Sequence, residues 1–127
     1  MEPTFPARCP LSLLVVRGTA RRQPEGNRVK VSKATRLVTG TATGAGDALP
    51  VFSHADLARR YARARGVDAD AVTVRSPEQL LGIVTLALPG RTSHVALDPD
   101  EHGQPRCVVP VRTFVQSLVD QQARSNG

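Results

Sequence analysis

Ser53, His54 and Asp56 are the residues of this 127-residue chain whose types could do nucleophilic chemistry. A serine, an imidazole and a carboxylate suffice for acyl transfer when the base reaches the nucleophile and the acid orients the base. Near neighbours at a helix start do not offer that geometry, and His54 has no adjacent carboxylate to make it a base. The expectation is architectural instead. Ser53 followed by Asp56 has the Ser-x-x-acid spacing that satisfies free helix N–H groups, and His54 falls in the first turn near the edge of the core. On this reading the chain is not an enzyme and has no catalytic residue.

Other stretches invite a chemical test and fail it. Residues 39–47 carry three glycines, but they lack a Gly-Lys-Ser/Thr ending and the Gly-x-Gly-x-x-Gly spacing. No helix pattern follows at once to supply a dipole for phosphate, so a plain connecting loop is expected. Asp98-Pro99-Asp100-Glu101-His102-Gly103 opens like a calcium loop, yet the twelfth position from Asp98 is Val109 where a bidentate glutamate belongs. An acidic turn between two strands accounts for it, with Pro99, Gly103 and Pro105 as turn formers. Cys9 and Cys107 belong to no metal-ligand spacing and are read as free, packed thiols, although a disulfide between them stays open. No metal and no cofactor is expected.

Charge is the remaining functional signal. Lys and Arg number 17 against 11 Asp and Glu, a formal net charge of +6 that permits attraction to nucleic acid or an acidic partner. Arg17, Arg21, Arg22, Arg28 and Lys30 cluster on an N-terminal hairpin, read as strands at 11–16 and 28–37 joined through 18–27, where Pro24 and Gly26 are placed for a turn. That basic hairpin is the candidate nucleic-acid surface. Against it, the chain has no tryptophan, one tyrosine and three phenylalanines, a poor supply for a base-stacking platform. A charge-guarded sheet edge explains the same residues.

The elements that must position these groups follow from pattern. With 40% hydrophobic and 22% charged residues the chain suits one globular domain over 1–127, and no apolar run is long enough to span a membrane. No signal-peptide pattern is read at the start, so a cytoplasmic protein is expected, with 1–10 and 123–127 poorly ordered. Residues 11–16 read as a strand buried on both faces, and 28–37 as an alternating strand with Val29, Val31, Thr35 and Leu37 on one side. Pro50 suits an edge or a strand start ahead of Val51 and Phe52. A helix then runs to Gly66 with Leu57, Ala58, Tyr61 and Ala62 inward and the arginines wet, and Asp56 can pair with Arg59 and Arg60. Residues 71–75 form a strand. Ser76-Pro77-Glu78 opens the helix expected to be most buried, through Leu80, Leu81, Ile83, Val84, Ala87 and Leu88, with Gly82 placed for close backbone approach. Strands at 93–97 and 106–109 follow. Pro110 starts a last helix striped by Val111, Phe114, Val115, Leu118 and Val119. The fold class is α+β, a mixed sheet of about five to six strands with three helices.

In this order, Leu49-Pro50-Val51-Phe52-Ser53, Ser76-Pro77-Glu78-Gln79-Leu80-Leu81 and Val95-Ala96-Leu97-Asp98-Pro99 resemble the SseB N-terminal domain family over the C-terminal two thirds of the chain. Family members typically carry a Pro-Val-Phe-Thr-like corner and an Asn-Pro-like turn where this chain has Ser53 and Asp98-Pro99. The resemblance implies a compact α+β domain of small bacterial proteins, with no catalytic set to carry over. The expected function is a non-enzymatic accessory domain binding a protein partner or itself, through a sheet edge or an exposed apolar patch. Nucleic-acid binding through the basic hairpin is the alternative.

Overall fold

The computed structural model describes residues 8–18, 21–22, 29–30, 35–42, 46–88, 90 and 92–126. In chain order the elements are β1 (Leu11–Val16), β2 (Arg21–Arg22), β3 (Val29–Lys30), β4 (Gly40–Ala42), β5 (Gly46–Phe52), α1 (Ala55–Arg65), β6 (Ala69–Val74), α2 (Pro77–Ala87), β7 (His94–Leu97), β8 (Cys107–Pro110) and α3 (Val111–Asn126). The expected α+β class is what the chain adopts. Its main sheet has the order β6-β1-β5-β7-β8, with β4 added along β5, and only β5 and β7 run parallel. No helix among the described residues is long and apolar enough to cross a membrane.

Strand alternation sorts the core into two layers. Leu11, Leu13, Val15, Leu49, Val51, Val95 and Leu97 face α2 and α3, where Leu80, Val84, Phe114 and Leu118 complete one cluster. Leu14 and Phe52 face the other way, against Ala58, Tyr61 and Ala62 of α1. The Phe52 and Tyr61 rings lie tilted with centroids 5.5 Å apart, a favoured aromatic geometry. Fully burying a side chain such as Leu80 stabilises the fold by about 1.5–3 kcal/mol.

Two helix ends are chemically specified. The Ser76 hydroxyl accepts from the Gln79 N–H at 3.2 Å with Pro77 behind it, and Gly66 closes α1 at φ 65°, a left-handed position that favours glycine. The start of α1 is not capped by a side chain. His54, not Ser53, is the capping residue; it is exposed rather than near the core edge, and its side chain makes no cap bond. Ser53 is committed elsewhere, as described below. Asp56 pairs with Arg59 at 2.9 Å.

Several sequence expectations shift when strands pair. Residues 39–47 are not a plain loop, because Gly40–Ala42 and Gly46–Ala48 form an antiparallel ladder. At Gly40 the space is tight: a Cβ there would lie 3.3 Å from the Tyr61 hydroxyl. Pro50 sits inside β5 rather than at its start. It falls in the gap between the β4 ladder, which ends at Ala48, and the β1 ladder, which begins at Val51, so its missing N–H costs little on that side. The expected strand over 28–37 is short at β3. Its later part instead lies beside β1, where Leu37 bridges Val15 and both Leu37 and Thr35 are buried. A Cβ on Gly82 would meet nothing within 4 Å, so no neighbouring backbone approaches it closely. The turn at Pro24 and Gly26, Val31 and Arg28 lie outside the described residues.

Candidate functional site

The site follows from asking where each strand's backbone groups point. Asp68 and Arg17 continue the β1–β6 register one step beyond Val16 and Ala69, and the Arg17 N–H donates to the Asp68 carbonyl at 3.3 Å. Bonded and non-bonded pairs alternate in an antiparallel ladder, so Asp70, Val72 and Val74 also turn their backbone groups toward β1. The opposite edge of β1 agrees. Val16 donates to the Arg36 carbonyl at 2.8 Å, and the Leu14 carbonyl accepts from Val38 at 2.9 Å, so these residues face away from β6. Ala69, Ala71 and Thr73 therefore direct N–H and C=O outward, along an edge that no strand among the described residues pairs.

The other end of the sheet is built differently. Val111 N–H donates to the Ser93 carbonyl at 3.0 Å, one step past the His94–Pro110 pair. By the same alternation Cys107 and Val109 face β7, leaving Val108 and Pro110 outward. Pro110 has no N–H to offer, and α3 begins at the next residue. This edge is short and blunted.

Ser53 joins the ends of the two parallel strands. Its N–H and hydroxyl donate to the two oxygens of Asp98 at 2.7 and 2.8 Å. Asp98 holds this position at φ 49°, in the left-handed region that asparagine and aspartate enter more readily than most residues. Asp100 is engaged within its own turn, its Oδ1 accepting from the backbone N–H groups of His102 and Gln104, each at 2.9 Å. The Gln104 bond leads in holding the Asp100 carboxyl below its ordinary value, against a smaller opposing effect of burial, with the His102 bond adding to it. Between this turn and α1 opens a cleft of about 320 Å³, with Leu57, Arg60 and Tyr61 on the helix side.

The basic residues do not all belong together. Arg17 leaves the end of β1 to bond Asp68 through Nε and lies 3.9 Å from Asp70, which raises its pKa first through the Asp68 hydrogen bond and then through both charges. Arg21 and Arg22 stand opposite Lys30 and Val29 in the separate β2–β3 ladder, and Arg28 lies outside the described residues. Cys9 and Cys107 are free and half-buried, and burial pushes both thiols up. The strand expected over 71–75 forms as β6 over Ala69–Val74, and the sequence carries no signal that this strand ends the sheet. No family model, curated protein or solved structure matches the chain.

Proposed function

We propose that the chain is a non-enzymatic interaction domain that accepts an extended segment of a protein partner as a further strand on β6. The observation that carries this reading is the outward set of backbone groups at Ala69, Ala71 and Thr73. Main-chain bonding along such an edge supplies affinity, while side chains flanking it supply selectivity. β6 contains no proline or lysine, and its one charged residue, Asp70, lies near Arg17. The SseB-like motifs are compatible with this role. On that reading the chain is a bacterial cytoplasmic accessory protein, and the corner at Ser53 and the turn at Asp98 serve to hold the domain together.

Nucleic-acid binding through Arg17, Arg21, Arg22, Arg28 and Lys30 is the weaker reading, because Arg17 is already engaged by Asp68. One capture experiment separates the two. Ala71→Pro removes an outward N–H and leaves the β1 ladder intact, whereas an Arg21→Glu, Arg22→Glu double variant removes basic charge. Pull-downs from the host should lose the protein partner with the first and keep it with the second. Retention of every partner by folded Ala71→Pro protein, or loss of bound nucleic acid with the double variant alone, counts against strand addition.

A further inference from the structure

Resting on the strand-addition reading, we infer that the segment accepted by β6 is β6 of a second copy, forming a two-fold antiparallel pair centred on Ala71. The outward residues are spaced for this. If Ala71 meets Ala71 of the copy, Ala69 meets Thr73 and Thr73 meets Ala69, so every outward N–H and C=O of one strand faces an outward group of the other. Asp70 and Val72, whose backbone groups are committed to β1, then fall opposite one another as the non-bonded pairs. A shift of one residue would set outward groups against committed ones. The face pointing to α2 and α3 stays on the same side in both copies, so the sheet continues across the two-fold axis without a layer change.

Charge selects the same arrangement. The chain enters β6 through Asp68 and leaves it through Arg75, both exposed. Antiparallel pairing sets the acidic entry of each copy beside the basic exit of the other, with Asp68 opposite Val74 and Arg75 one residue on. Alternation carried one residue past each end puts the Asp68 and Arg75 side chains on opposite faces, so their attraction acts across the strand end. Arg17 already bonds Oδ1 of Asp68 through Nε. With +6 on each copy, overall charge opposes association, so this pair sets register more than strength.

Sedimentation and light scattering across a concentration series test the inference on the full chain. The wild type should pass from monomer to dimer, and Ala71→Pro should remain a folded monomer, its self-association weakened about tenfold or more. In a Cys9→Ser, Cys107→Ser background, an Ala71→Cys variant should be joined into dimers by a short bis-maleimide, and a Val108→Cys variant should not; this readout serves if Ala71→Pro fails to fold. A wild type monomeric at every concentration overturns the second copy, as does cross-linking at Val108 instead of Ala71. If the monomeric wild type still captures a host protein that Ala71→Pro loses, only the identity of the occupant is wrong. If Ala71→Pro changes neither measurement, strand addition falls with it.

Discussion

The two ends of the sheet differ in what their outermost strands leave unmet. β8 is four residues long, turns only Val108 and Pro110 outward and runs straight into α3. β6 is six residues long and turns outward three residues that each keep an N–H. The contrast teaches that an edge is defined by which backbone groups face out, more than by how apolar its side chains are. Exposed edges otherwise invite unwanted pairing, and a proline at an outward position is a simple way to close one.

Breaking what supports the open edge should have the largest effect. Among the described residues β6 has a strand on one side only, and it packs on α1 and on α2, whose Leu80 is fully buried. Leu80→Ala should cost about 2–5 kcal/mol in chemical denaturation; a loss below about 1 kcal/mol, typical of surface changes, would show that α2 is not central. Next comes Asp98→Ala, which removes both Ser53 bonds and puts alanine at a left-handed position. About 1–3 kcal/mol should be lost, and Asp98→Asn should recover part of it; equal stability of all three proteins would deny the clamp a role.

Smaller effects sharpen the contrast itself. Pro110→Val restores an outward N–H to β8 and should change stability by less than about 1 kcal/mol while raising light scattering at high concentration. Unchanged scattering would mean that α3, rather than the proline, closes this edge. The smallest effect is at the turn. Because the folded Asp100 pKa is lowered, its contribution is present above the unfolded aspartate value and disappears as pH falls through the folded one. Asp100→Asn should therefore flatten the acid limb of a stability-against-pH curve below about pH 4 and leave the neutral region nearly parallel; an identical acid limb would contradict the turn's hydrogen bonding.

Local chemistry made much of the fold legible in sequence. The continuous apolar run of β1, the Ser76-Pro77 start of α2, the glycine stop of α1 and the acidic turn at 98–103 each declare themselves within a few residues. Relations across the chain did not. Ser53 has a good capping sequence, yet its bonds go to Asp98, 45 residues away. Pro50 looks like an edge residue until two partners are seen to divide β5 between them. The candidate site is hidden for the same reason: Ala69, Ala71 and Thr73 are unremarkable as residue types, and only strand order leaves them facing outward.

The Ser53–Asp98 clamp also bears on the order of assembly. It closes the C-terminal ends of the parallel β5–β7 pair, and α1, β6 and α2 all lie in the chain between them. Loop closure over that separation costs about 3 kcal/mol of chain entropy before the pair returns any bonding. The clamp is thus expected to form after the folding barrier is crossed, where it acts as a latch: stopped-flow kinetics of Asp98→Ala should show faster unfolding and nearly unchanged refolding.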